Sequence, residues 1–118
     1  MAGKKTVEVE ADSERFEAEL ADTLLEKSWG LSMRKKGKML FVFSSPGRPP
    51  IDMMLVQEPL NLYFLDSNRK VVDARKAEPW TLDPRTWKVY RPEQDAKFLL
   101  ESFEDLGLEE NEKVEFDL

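Results

Sequence analysis

The chain has 118 residues, 24 acidic against 18 basic for a net charge of −6, and contains neither cysteine nor histidine. The missing residue types remove disulfides, thiolate nucleophiles, imidazole acid–base chemistry and nitrogen or sulfur metal ligands, leaving only hard cations such as Mg²⁺ or Ca²⁺ for an all-oxygen site. The acidic balance opposes broad attraction to nucleic acid or an anionic membrane.

A chain of this length builds one core, so a single domain over residues 1–118 is expected, with residues 1–5 as a disordered tail. Val7 and Val9 alternate with Glu8 and Glu10, and Phe16, Ala18 and Leu20 alternate with charged neighbours. Period-two alternation predicts two half-buried strands in a hairpin. Phe16 and Leu20 are also four apart, so a helix over residues 13–20, capped by Ser13, is the competing reading. Asp22 or Thr23 then caps a short helix over residues 24–29, with Glu26 in capping-box spacing and Gly30 as its stop.

The basic turn at residues 34–38 leads into Met39-Leu40-Phe41-Val42-Phe43. This run, Met53-Met54-Leu55-Val56 and Leu60-Asn61-Leu62-Tyr63-Phe64-Leu65 are short, apolar and bounded by Gly and Pro, which suits buried strands better than helices. Ser67-Asn68 is a tight turn into Val71-Val72. A third hairpin requires the proline-containing loop, residues 78–92, to close back. Residues 96–103 read as a strand, 104–106 as a helical turn and 114–116 as a closing strand. The predicted fold is α+β, mostly β: a compact barrel-like antiparallel or mixed sheet with one or two short helices. Its expected core is Phe41, Phe43, Leu62, Phe64, Val72 and Leu99.

No apolar stretch reaches about 18 residues and the N-terminus lacks an apolar h-region, so a cytoplasmic chain is expected. Charged residues make up 36% of the chain while Asn and Gln are few, a bias of heat-adapted proteins that use surface ion pairs. Without histidine, stability is expected to change little between about pH 6 and 8 unless a carboxylate is strongly perturbed.

Ala21-Asp22-Thr23, Gly30-Leu31-Ser32-Met33-Arg34, Gly37-Lys38-Met39-Leu40-Phe41-Val42-Phe43 and Pro59-Leu60-Asn61-Leu62-Tyr63-Phe64-Leu65-Asp66 with Val71-Val72 occur in a collinear series. Tyr90-Arg91-Pro92, Ala96-Lys97-Phe98-Leu99-Leu100-Glu101 and Leu106-Gly107-Leu108 continue it. This series resembles domain-of-unknown-function family 192 from about Glu14 onward, and Thr86-Trp87-Lys88 resembles its archaeal branch. The resemblance implies a compact β-barrel-like α+β domain without an established activity. Two departures stand out. Asp52-Met53-Met54-Leu55-Val56 occupies the place of the family's aromatic-Met-Lys-Asn-Thr, and Asn61 that of the Asp in Pro-Leu-Asp.

Long loops in small domains are often functional. On this one, Trp80, Trp87 and Tyr90 offer broad faces with polar edges, interleaved with Arg85, Lys88 and Arg91, a pattern suited to stacking or cation–π contact. The alternative is that the rings plug one end of the barrel. The basic turn at 34–38 is a solvated face or a phosphate site. Arg34 can pair bidentately with a carboxylate such as Asp52 or Asp66. Asp52 stands directly before the apolar run Met53-Met54-Leu55-Val56, and burial would raise its pKa unless Arg34 or Arg48 pairs with it. Asp66 caps its turn. The acidic C-terminal segment lacks calcium-loop spacing, and Met33, Met39, Met53 and Met54 suit core gaps or a soft binding surface. The expected ligand-binding set is Arg34, Arg48, Asp52, Trp80, Trp87, Tyr90 and Arg91. No catalytic residue, metal or cofactor is assigned. A non-enzymatic module for a small polar ligand, such as a carbohydrate, or for a protein partner is the leading expectation. The alternative is a hydrolase, glycoside-directed for example, using Asp52 with a second acid or with Mg²⁺.

Overall fold

The computed structural model describes residues 5–12, 14–21, 31 and 34–118. Exposed glutamates alternating with buried Val7, Val9 and Ala11 make Thr6–Ala11 a one-sided strand, β1. Strand β2, Glu14–Ala21, returns antiparallel to it with Ala11 opposite Glu14 and Val7 opposite Ala18. Asp12 in the reversal has φ 46°, a left-handed geometry that Asp tolerates. The hairpin therefore prevails over a helix at these residues. The capped helix at 24–29 and the tail at 1–4 lie outside the described residues.

The remaining strands are β3 (Lys38–Gly47), β4 (Ile51–Asp52), β5 (Leu60–Leu65), β6 (Val71–Ala77), β7 (Val89–Tyr90), β8 (Ala96–Ser102) and β9 (Val114–Phe116). Seven form one sheet in the order β6-β5-β8-β3-β2-β1-β9, while β4 and β7 make a separate ribbon. Among the described residues only β2 and β3 pair in parallel. The proposed third hairpin does not form, because β8 pairs with β5 and β3 rather than with β6. The sheet curls into a half-barrel whose outer strands touch at one end. There Lys70 bridges Lys113, the Val71 amide donates to the Glu112 carbonyl, and the Val114 amide donates to the Arg69 carbonyl. Arg69 also donates to the Phe116 carbonyl and lies 4.1 Å over the Phe116 ring.

Period-two alternation loads both faces of the central strands. Val9, Leu40, Tyr63, Leu65, Val71, Phe98, Leu100, Val114 and Phe116 pack in one cluster. Phe41, Leu62, Phe64 and Leu99 pack in a second, on the other face, with Leu31, Met39, Met53 and Leu60. All six expected core residues belong to this second side, with Phe43 and Val72 only half-buried at its margin. Val72 is skipped where Phe64 pairs with Asp73 and Leu65 with Val71, so a bulge turns Val72 toward the second cluster.

Three expected elements differ. Residues 53–56 form a turn rather than a strand, because the Asp52 carboxylate accepts the Met54 amide and Leu55 takes φ 63°. Residues 104–106 are not helical. The Ser102 hydroxyl accepts the Glu104 amide, and the Tyr63 hydroxyl accepts the Leu106 amide at 2.9 Å, so the chain makes its crossing from β8 through a bend and without a helical turn. The loop at 78–92 is more ordered than irregular chain, holding a 3-10 turn, Pro84–Thr86, and strand β7.

Tyr63 ties β5 to that crossing twice, donating also to Asp105 Oδ1 at 3.1 Å. Its phenol pKa is raised, chiefly by burial. Tyr63→Phe leaves the buried Leu106 amide without its acceptor, and is expected to lower the unfolding free energy by about 1 to 3 kcal/mol. Urea denaturation at neutral pH measures this, and an unchanged midpoint would show that water replaces the hydroxyl without loss.

Candidate functional site

The second cluster is roofed by two segments, the β4 turn and the 78–92 loop, and both are cross-braced by hydrogen bonds. Asp83 caps the 3-10 turn by accepting the Arg85 amide, and the Arg85 guanidinium, bonded to its carboxylate, holds the Asp83 pKa below its usual value. The Thr86 hydroxyl accepts the Thr81 amide at 2.8 Å. Trp80 and Trp87 stack with ring centroids 5.9 Å apart and 27° between planes. Both indole N–H groups are used within the loop, Trp80 donating to the Lys88 carbonyl and Trp87 to the Thr81 carbonyl, each at 2.8 Å. The rings therefore have faces, not free N–H edges, to offer at the surface.

Tyr90 and Trp80 are half-buried against the second cluster, whereas Trp87 is exposed. The Tyr90 hydroxyl accepts the Glu78 amide and so closes the base of the loop. Beside the stacked rings the β4 turn presents Met54 and Leu55. Together these residues line an open groove of about 460 Å³ formed by Met54, Leu55, Trp80, Thr81, Leu82 and Trp87. A second groove of about 770 Å³ shares Leu55, Trp80 and Thr81 and continues to Gln57 and Glu78.

The structure gathers six of the seven expected residues around the β4–β7 ribbon and its loop. Ile51 pairs with Tyr90 and Asp52 with Val89. Arg48 donates to the Pro92 carbonyl at 2.7 Å and Arg91 to the Arg48 carbonyl at 3.2 Å, so the arginines brace backbone. Arg34 is engaged elsewhere: its guanidinium grips both oxygens of Glu19 on β2, one at 3.0 Å, instead of Asp52 or Asp66. Asp52 is exposed and Asp66 caps its turn, accepting the Asn68 and Lys70 amides. Met39 and Met53 are core, Met54 is surface, and Met33 lies outside the described residues.

Sequence reading missed Glu101. It is 5% exposed on β8, and burial together with the nearby Asp52 carboxylate pushes its pKa up to about 8. A single acid after Phe98-Leu99-Leu100, on the same strand face as Leu99, was the available signal. Among the described residues no group of three or more acidic side chains is arranged to hold a metal.

These features define a small half-barrel whose central sheet carries a loop-built apolar platform on one face. The chain belongs to the DUF192 family, described as "Uncharacterized ACR, COG1430", which matches residues 6–116. It is 32% identical over 104 residues to the UPF0127 protein PH1112 of the archaeon Pyrococcus horikoshii, covering 85% of this chain and 82% of that protein. A crystal structure from Novosphingobium aromaticivorans, of a protein of unknown function, is 25% identical with a TM-score of 0.75, covering 93% of this chain and 83% of that one. A crystal structure from Sinorhizobium meliloti 1021, described as a candidate transcription regulator, has a TM-score of 0.82 at 16% identity, with coverage of 98% and 97%. The last likeness is one of fold alone. No described helix is long and apolar enough to cross a membrane.

Proposed function

We propose that the chain is a cytoplasmic, non-enzymatic binding module whose platform at Met54, Leu55, Leu82 and Trp87 seats apolar side chains of a protein partner. One observation carries this reading: Met54 and Leu55 on the β4 turn are each 54% exposed, and Leu82 and Trp87 on the hydrogen-bonded loop 99% and 52%, all lining one groove. Large apolar side chains clustered on a surface mark interaction sites, and a braced loop loses little conformational freedom on binding. A protein partner is favoured over a carbohydrate because both indole N–H groups already have acceptors. A carboxylate hydrolase is the second reading, favoured by Glu101 lying within electrostatic reach of Asp52.

The test is an NMR titration of ¹⁵N-labelled protein with peptides bearing leucine, phenylalanine or tryptophan anchors, and with mono- and disaccharides. Peptides are expected to shift the indole resonances of Trp80 and Trp87. Leu82→Ala combined with Trp87→Ala is expected to abolish those shifts at Trp80 while lowering stability by less than about 2 kcal/mol, because a buried Trp truncation costs about 3 to 5 and neither side chain is buried. Saccharides shifting the same resonances while peptides do not, or peptides binding the double variant as well as the wild type, would overturn the reading.

A further inference from the structure

The two grooves beside the stacked tryptophans share Leu55, Trp80 and Thr81, and their lining differs in charge from the loop that builds them. The loop carries Arg85, Lys88 and Arg91, which on sequence alone suggest a site for an anion. None of the three lines either groove. The Arg85 guanidinium is held by the Asp83 carboxylate at 2.7 Å, and Arg91 donates to the Arg48 carbonyl. Among the described residues that line the two grooves, Glu78 alone carries a charge, and it stands in the larger one, of about 770 Å³. Its backbone amide donates to the Tyr90 hydroxyl, which fixes the residue at the base of the loop, while among the described residues its carboxylate takes part in no hydrogen bond or ion pair. The exposed Gln57 lies in the same lining, whereas the Thr81 and Thr86 hydroxyls are bonded to each other and to the loop backbone.

We propose that the larger groove is an arginine subsite: a partner protein that seats an apolar side chain against Leu82 and Trp87 lays the stem of a nearby arginine along Leu55, Pro79 and Trp80 and its guanidinium on Glu78. This subsite rests on the platform reading and names the chemistry of its partner. A guanidinium fits because its planar fork pairs with both oxygens of a carboxylate and leaves N–H groups for the Gln57 side-chain carbonyl, while its alkyl stem covers apolar surface. A lysine ammonium brings the charge without the fork, and an acidic side chain meets Glu78 as a like charge. The net charge of −6 acts in the same direction, drawing a basic segment toward the chain at a rate that falls with salt. Because Glu78 is exposed, the pairing is partly screened by water, and its contribution is a several-fold preference added to the affinity of the apolar anchor.

The experiment titrates ¹⁵N-labelled protein with acetylated, amidated glycine-serine peptides that carry one phenylalanine anchor and one arginine at successive spacings from it, read at the Trp80 indole resonance. At the spacing that binds best, arginine is replaced by citrulline, which keeps the shape without the charge, by lysine and by glutamate. The arginine peptide is expected to bind roughly two- to fivefold more tightly than the citrulline peptide at low salt, with lysine between them and glutamate weakest. High salt should erase the difference. Glu78→Gln changes an exposed side chain and keeps the backbone bond to Tyr90, so it should remove the preference for arginine while leaving the affinity of the citrulline peptide unchanged. Equal binding of the arginine and citrulline peptides to the wild type, or a preference for arginine that persists in Glu78→Gln, would overturn the subsite and leave the platform standing. Absence of binding by every peptide would overturn the platform and the subsite together.

Discussion

Phe64→Ala is expected to lower the unfolding free energy by about 3 to 5 kcal/mol, the range for truncating a fully buried Phe. Phe64 is 0% exposed, stands opposite Leu99 on β8 and Asp73 on β6, and belongs to the cluster shared with Phe41 and Leu62. Its cavity would open in the centre of the sheet's loop-covered face, where strands on both sides prevent collapse. Phe43→Ala, at the half-buried margin of the same cluster, should cost clearly less. Denaturant melts of the two variants measure the contrast. A loss below about 1 kcal/mol for Phe64→Ala would mean that this face is not packed as described. Since a domain of this size is stable by only about 5 to 15 kcal/mol, the variant should also be visibly more susceptible to proteolysis.

The second large effect is one of pH. Glu101 has a folded-state pKa raised from 4.5 to about 8, so the folded chain holds a proton that the unfolded chain releases above its ordinary carboxylate pKa. The contribution is therefore fully present below about pH 4.5 and is lost as pH rises through about 8, beyond which folding must bury the charge. At 1.36 kcal/mol per unit the difference across that window is on the order of 5 kcal/mol. Glu101→Gln should flatten the curve between about pH 5 and 8 and make the protein more stable than wild type at about pH 9. Melting temperatures that stay level across this range in the wild type would show that the carboxyl is solvated or paired. Glu101 is thus the perturbed carboxylate that an otherwise level pH profile allows for.

How far the fold is legible depends on which interactions dominate locally. The strands β1, β2, β3, β5, β8 and β9 are set by alternation or by short apolar runs, and the sequence pattern places them well. Residues 53–56 mislead because their apolar composition hides a polar cause: one carboxylate oxygen of Asp52 accepting the amide two residues on, followed by a left-handed Leu55. Arg34 has several acidic candidates along the chain. Its pairing with Glu19 follows from the parallel contact of β2 with β3, a long-range relation that no local spacing encodes. In the loop at 78–92 no periodicity separates Trp87, which faces water, from Tyr90, which packs inward. That division is made by the β4–β7 ribbon, two residues long on each side. Glu101 was readable in principle, since an acid between buried strand neighbours has little access to solvent wherever the strand lies centrally.

The meeting of the outermost strands at Lys70 and Lys113 bears on how the edges of the sheet are closed to a further strand. An open seven-stranded sheet offers two rows of unpaired amides and carbonyls to any neighbouring strand, and such rows nucleate aggregation. Here one end of each row is satisfied internally through residues 69–71 and 112–114. The part of β6 that runs beyond the seam carries Arg75 and Lys76. A second molecule adding a strand there would have to bring its backbone alongside these cations, so the curl and the charges together discourage polymerisation at the exposed length of the edge.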